Sequence, residues 1–311
     1  MKIHGKILVI AGSDSGGGAG LQADIKTITA LGGFAMTAVT AVTAQNSQGV
    51  VGGAAGVFAL PPDFVAQQIR AVWHDLGVDV VKIGMLGNRA LIDAVLNCLA
   101  DCDVLAQVPI VLDPVMVAKG GQSLLPSEAV EILRNRALPR ATILTPNIPE
   151  AEFLTGMKCQ NLSDRRKAAL ALLAMMRRGG VTDGANPAPK NAPKYRAVLL
   201  KGGHAETAPG QPTDLIEDLL LYQEGGDQAA GDTAPHERIF TSPRISTPHT
   251  HGTGCSLASA IATFLAQNYG LEEAVARARN YVHVAIAEAP GFGHGHGPLN
   301  HAAGLVQNRR I

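Results

Sequence analysis

Along the chain, apolar runs of strand length alternate with longer stretches in which apolar residues recur at helical spacing. Residues 6–11 read as a first strand, followed by a glycine-rich turn and a helix over 20–31. A β-branched run predicts a second strand over 35–43, and Pro61 and Pro62 open a helix reaching about residue 76. The same alternation predicts strands over 78–85, 108–115, 141–144, 196–201 and 215–222. Helices are predicted over 88–100, 127–137, 164–178, 253–268 and 271–289, with Ser163 as the expected N-cap of the third. Strands that are apolar without interruption are buried on both faces, and intervening helices join such strands by crossovers. The pattern therefore predicts an α/β fold, a mostly parallel central sheet with helices on both faces.

Two segments break this rhythm, near 179–195 and near 223–236. Both are rich in Gly, Ala, Pro, Asn or Asp and can bury little apolar surface. The expectation is one domain over 1–311 with two surface insertions, and no internal repeat.

Charge removes several classes of function. The 26 basic and 26 acidic side chains balance, so no overall field draws nucleic acid or an anionic membrane. An anion site would have to come from backbone N–H groups. No run approaches the ~18 apolar residues of a membrane helix. The basic start is followed by only a short apolar run, which reads as a buried strand and not as a signal peptide. Cys98, Cys102, Cys159 and Cys255 show neither zinc nor disulfide spacing, which fits reduced thiols in a cytoplasmic protein.

Several motifs bear chemistry. Gly12-Ser-Asp-Ser-Gly16-Gly17-Gly18-Ala19-Gly20 joins a strand to a helix, where glycines admit close backbone approach and a helix start offers free N–H groups. It is neither a P-loop nor a dinucleotide fingerprint, since Leu21 stands where the third glycine belongs. A flexible turn is the plainer alternative, but glycines this dense favour a ligand loop. Asp24 and Gln45 flank this loop at the carboxyl edge of the sheet; each alone reads equally as a solvated polar residue. Asp113, before Pro114, ends a strand and suits a metal or its water, or simply a turn. Asn147 and Glu150 share a helix start, so they suit either a hard cation such as Mg²⁺ or a capping box. Lys201, before Gly202-Gly203, places a cation beside a phosphate or is solvated. Gly252-Thr253-Gly254-Cys255 precedes an apolar helix. Its N–H groups suit a phosphoryl group, and the helix start favours the Cys255 thiolate as base or nucleophile. A small buried cysteine is the alternative. The tract Gly293-His294-Gly295-His296 resembles a metal motif but lacks a nearby third ligand.

Taken in order, these segments resemble a known family. They are Ala11-Gly-Ser-Asp, Gly-Gly-Ala-Gly-Leu-Gln-Ala-Asp24, Thr-Ala-Gln45-Asn and Lys82-Ile-Gly-Met-Leu-Gly. Asp113-Pro-Val-Met, Thr145-Pro-Asn-x-x-Glu150, Lys201-Gly-Gly-His, His249-Thr-His-Gly-Thr-Gly-Cys255 and Gly295-His-Gly-Pro-Leu-Asn-His301 follow. The chain resembles the bacterial hydroxymethylpyrimidine/phosphomethylpyrimidine kinases, across residues 7–301 apart from the two insertions.

The resemblance implies a ribokinase-like fold, ATP and Mg²⁺ as cofactors, a pyrimidine alcohol phosphorylated twice in succession, and a homodimer. By the same resemblance, Gly12, Asp24 and Gln45 bind the pyrimidine, with Met85 lining its pocket. Gly252, Thr253 and Gly254 form the anion hole, and Cys255 is the general base. Asp113 and Glu150 are the acids that handle Mg²⁺ and phosphate; Lys201 is the nearby cation and Asn147 part of the same phosphate end. The three consecutive glycines at 16–18 depart from the usual two. A pyridoxal or pyridoxine kinase on the same fold is the nearest rival; such enzymes usually carry Asp at the Cys255 position, although some keep Cys. A nucleotide-binding regulator without catalysis is the rival from another class. An NAD-dependent oxidoreductase is disfavoured by the missing fingerprint.

Overall fold

The computed structural model describes residues 3–116, 127–178, 195–204, 215–224, 234–303 and 305. Strand β1 (Lys6–Asp14) passes through α1 (Gly20–Ala30) to β2 (Phe34–Thr43), parallel to it. Strands β3 (Gln45–Asn46) and β4 (Gly49–Val50) pair as a small flap of their own, and β5 (Val57–Ala59) returns antiparallel to β2. Helix α2 (Pro62–Asp75) leads to β6 (Val80–Ile83). Helices α3 (Arg89–Asp101) and α4 (Val104–Gln107) lead to β7 (Ile110–Leu112). Next come α5 (Ser127–Ile132), β8 (Ile143–Leu144), α6 (Ile148–Thr155), α7 (Leu162–Arg178) and β9 (Tyr195–Leu200). Strands β10 (Leu215–Glu224) and β11 (His236–Pro243) pair antiparallel. Helices α8 (Thr253–Ala266) and α9 (Leu271–Ala287) follow.

The sheet runs β11-β10-β9-β8-β7-β6-β1-β2-β5. Its six central strands, β9 to β2, are parallel, which is the expected α/β architecture. Residues 7–11 of β1 are almost wholly buried and alternate between two cores. Leu8 and Ile10 face the core under α2, α3 and α7, whereas Ile7, Val9 and Ala11 face that under α1, α8 and α9. From β1 the chain moves outward to β2 and then returns to β6 on the other side of β1. That reversal splays the connections apart at the carboxyl ends of β1 and β6, the usual ligand crevice of such sheets.

The helices that begin around this crevice are not all capped alike. Asn88 caps α3 and Asn147 caps α6 through their side chains. By contrast, Ala19 and Gly252 precede α1 and α8 without any side-chain cap. Uncapped helix starts leave N–H groups for a ligand.

The predicted elements differ from the observed ones in a few places. Helix α7 begins before Ser163, and the Asp164 N–H donates to Asn161 Oδ1 at 3.0 Å, so Asn161 fills the capping role. The flap and β11 were not anticipated. The proposed insertions are narrower than drawn, since Tyr195, Gln223, Glu224 and His236 belong to strands; residues 179–194 and 225–233 lie outside the described residues. Among the described residues no helix is long and apolar enough to cross a membrane.

Candidate active site

A cavity of ≈ 870 Å³ occupies the crevice. Its lining includes Gly12, Gln45, Met85, Asn147 and Lys201, all of them sequence candidates. Asp113, Glu150 and the α8 start, Gly252 to Cys255, line it too. Asp24 is the one candidate it does not include. Met85 Cε packs directly over Gly12, where a Cβ would push the thioether end aside.

The start of α8 sits at the middle of the cavity. Gly252 is left-handed (φ 85°), and a Cβ on it would overlap the Gly18 carbonyl. The Ser256 N–H closes onto the Gly252 carbonyl at 2.9 Å and the Thr253 N–H onto the Thr250 carbonyl at 3.4 Å, so the donors most open to a ligand are those of Gly254 and Cys255. The Thr253 hydroxyl braces the turn by donating to Thr250 O at 2.8 Å. At Gly254 a Cβ would lie 3.3 Å from Lys201 Nζ and 3.5 Å from an Asp113 oxygen, so the helix start adjoins the Asp113–Lys201 pair.

Cys255 lies in this first turn, in the wall of the same cavity as Gly20, the start of α1. The residue keeps partial exposure. Burial nevertheless pushes its thiol up to about 11; the Lys82 charge opposes this, and Asp24 and Asp113 add to it. The helix-start field expected from the sequence is therefore outweighed in the ligand-free protein.

Beneath this turn lies a buried ion pair. Lys82 Nζ donates to both Asp24 oxygens at 2.9 Å, and the Ser259 hydroxyl, one turn below Cys255, donates to Asp24 Oδ1 at 2.7 Å. Both charged side chains are fully buried. The expectation that Asp24 contacts the substrate is thus corrected: its carboxylate is spent on Lys82 and Ser259, and it is Lys82 that reaches the cavity wall. Burial lowers the Lys82 ammonium's pKa, but the carboxylate more than offsets this, so it stays charged.

Asp113 ends β7 and accepts from Lys201 Nζ and from the Thr145 hydroxyl, both at 3.0 Å. Glu150 and Asn147 form a true capping box, with both reciprocal bonds at 2.8 Å, and both also line the cavity. The two readings of that motif are compatible. Burial raises the Glu150 carboxyl to about 7, opposed by Lys201 and reinforced by Asp113. The Glu150 and Asp113 carboxylates, with Lys201 holding one Asp113 oxygen, offer hard oxygen donors of the kind a divalent cation such as Mg²⁺ takes. Among the described residues no group of three or more His, Cys, Asp or Glu side chains could hold a metal. The tract carrying His294 and His296 instead packs on the flap, where a Cβ on Gly295 would overlap Ser47 O.

The glycine loop also departs from expectation. Its Gly16, Gly18 and Ala19 N–H groups donate to the Asp14 carboxylate at 2.8, 3.0 and 2.7 Å. Burial raises this carboxyl, yet the His251 bond and these N–H donors bring it below its ordinary value. These loop donors are thus turned inward on Asp14 and not toward the cavity. Sequence reasoning assigned no role to Asp14, Lys82, Thr145 or His251. All four lie in motifs quoted above, but nothing in their spacing reveals their partners.

A sequence profile of the phosphomethylpyrimidine kinase family matches residues 14–300. The chain is 42% identical over 298 residues to hydroxymethylpyrimidine/phosphomethylpyrimidine kinase of Bacillus subtilis, covering 96% of this chain and 95% of that one. It is 44% identical over 308 residues to the thiamine biosynthesis bifunctional protein of Geobacter sulfurreducens, covering 98% of this chain but 54% of that protein. Among solved structures, phosphomethylpyrimidine kinase of Clostridium difficile superposes with a TM-score of 0.68 at 35% identity, covering 92% and 100% of the two chains. An ADP complex of Bacillus subtilis pyridoxal kinase superposes with a TM-score of 0.74 at 28% identity, covering 97% and 98%. Profile, relatives and site geometry agree that this chain belongs to the phosphomethylpyrimidine kinase family.

Proposed function

We propose that the protein transfers phosphate from ATP to the hydroxymethyl group of 4-amino-5-hydroxymethyl-2-methylpyrimidine, and then to the resulting monophosphate. The observation that carries this is the continuity of one cavity from Gln45 and Met85, past the uncapped start of α8, to Asp113, Glu150 and Lys201. The pyrimidine lies at the Gln45 end. Its hydroxyl attacks beside Cys255, which takes the proton, while the N–H groups before Ser256 meet the charge on the transferring group. Asp113 and Glu150 would hold Mg²⁺, which supplies charge neutralisation at the phosphates, with Lys201 adding a fixed cation beside them. Ile216, Ile245, Val282 and Ile286 form an apolar wall suited to the nucleotide base. A cytoplasmic homodimer goes with this reading.

Isothermal titration with the hydroxymethylpyrimidine and with pyridoxal tests the substrate. The pyrimidine is expected to bind more tightly; preference for pyridoxal would favour the rival kinase. Gln45→Leu leaves ring polar groups unpaired and is expected to weaken pyrimidine binding by ~1–3 kcal/mol. Unchanged affinity would remove Gln45 from the site.

The Glu150 carboxyl gives a pH signature. Its raised value, about 7, means the neutral form dominates below that pH. A bound cation needs the ionised form, so Mg²⁺ affinity is expected to rise as pH increases through about 7 and then level off. Glu150→Gln keeps the capping bond but should abolish this rise while pyrimidine binding persists. A Mg²⁺ affinity of the same pH dependence in the variant would return Glu150 to capping alone.

A further inference from the structure

The side chains around Gln45 carry information beyond its contact with substrate. Gln45 Nε2 lies 3.2 Å from His251 Nε2, and Gln45 Oε1 lies 3.3 Å from Thr43 Oγ1. The two ends of an amide have nearly the same shape, so hydrogen-bond counting decides which faces which. His251 Nε2 is 2.9 Å from Asp14 Oδ2. An ionised carboxylate only accepts, so this nitrogen carries one proton, shared between Asp14 Oδ2 and the Gln45 amide atom 3.2 Å away, and has no lone pair for an amide N–H. On the other side, the single Thr43 hydroxyl proton goes to Ser13 O at 2.8 Å, so toward Gln45 this hydroxyl can only accept. Both counts give the same answer: the amide oxygen faces His251 and the amide NH₂ faces Thr43.

We infer that His251, oriented by Asp14, is a specificity-determining positioning residue that fixes the direction in which the Gln45 amide is presented to the substrate ring. Three loop N–H groups hold the Asp14 carboxylate. Gly18 leaves room for the imidazole, since a Cβ there would come within 2.6 Å of His251 Cδ2. With one lone pair and one N–H of the amide engaged, one acceptor and one donor remain on its free edge. An aminopyrimidine offers the complement, an amine donor beside a ring-nitrogen acceptor. Because the amide cannot turn over, the amine must lie on the His251 side and the ring nitrogen on the Thr43 side. That choice also sets where the hydroxymethyl group points. A ring with an oxo group beside a ring N–H offers the reversed order, so it pairs with the fixed amide only by turning over, which carries its hydroxymethyl group to the Thr43 side.

This inference rests on the pyrimidine reading above, and its test separates the two. Binding of the 4-amino substrate and of its 4-oxo analogue is measured for wild type, His251→Leu, His251→Gln, Gln45→Leu and the double variant Gln45→Leu/His251→Leu. In His251→Leu the amide is free to turn, so the preference for the amino ring over the oxo ring is expected to fall about tenfold. In His251→Gln an amide N–H replaces the imidazole N–H, so most of the preference should return. In the Gln45→Leu background, His251→Leu should have no further effect on the preference. Equal effects of His251→Leu with and without Gln45, in a wild type that binds the pyrimidine, would overturn the inference and leave the proposed function standing. A wild type that binds no pyrimidine would overturn the proposed function itself. ¹⁵N NMR of the ligand-free wild type then still decides the arrangement: a protonated Nε2 on His251 supports it, and a bare Nε2 refutes it whether or not any variant folds.

Discussion

Cys255→Ala is expected to slow phosphoryl transfer by ~10²–10⁴-fold, the usual worth of general-base assistance, while ATP and the pyrimidine still bind. A primary alcohol is a poor nucleophile, and its proton must leave as the new bond to phosphorus forms. Cys255 is placed in the first turn of α8, in the cavity wall and next to the open helix donors. Because burial raises its thiol to about 11, little thiolate exists near neutrality. The single-turnover rate of the wild type should therefore rise about tenfold per pH unit across the neutral and mildly alkaline range. Alkylation by iodoacetamide should follow the same slope and be blocked by ATP with the pyrimidine. Cys255→Asp should recover part of the activity. Wild-type transfer by Cys255→Ala under single-turnover conditions would exclude it as the base and leave the helix start acting alone.

Lys82→Met is expected to destabilise the fold by ~3–5 kcal/mol, because it strands a fully buried carboxylate. Asp24 would keep Ser259 as its one described donor, and its own side chain has no exposed surface. Removing both charges in Lys82→Met/Asp24→Asn should recover most of that loss, since a neutral pair has far less to lose on burial. Urea denaturation of the two variants measures the difference. A single variant as stable as wild type would mean that Asp24 is neutral in the native protein and that the pair is not ionic.

The prediction also shows where sequence reasoning stopped. Strand β1 and the start of α8 were legible because each is written in adjacent residues: a continuous apolar run, and Gly-Thr-Gly-Cys before an apolar helix. The pairing of Lys82 with Asp24 is written 58 positions apart, and no local pattern distinguishes a lysine that enters the core from one that stays outside. Asp24 was accordingly read as facing substrate when it faces downward. The glycine loop was read as a ligand cradle, since glycine density says that backbone comes close to something but not to what; here much of its donor capacity goes to Asp14. Strand β11 shows no alternation because most of its residues are exposed, and the two-residue strands of the flap are too short to have a period. Asn147 and Glu150 escaped a choice between cap and site because they serve as both.

The most direct test of the account is an ATP-dependent transfer assay with Mg²⁺ on purified full-length protein, with products followed by mass spectrometry. Hydroxymethylpyrimidine and pyridoxal are offered separately and together. The account predicts that the pyrimidine gains one phosphoryl group and then a second, in preference to any gain by pyridoxal. Phosphorylation of pyridoxal with none of the pyrimidine, or no transfer to either, would contradict it.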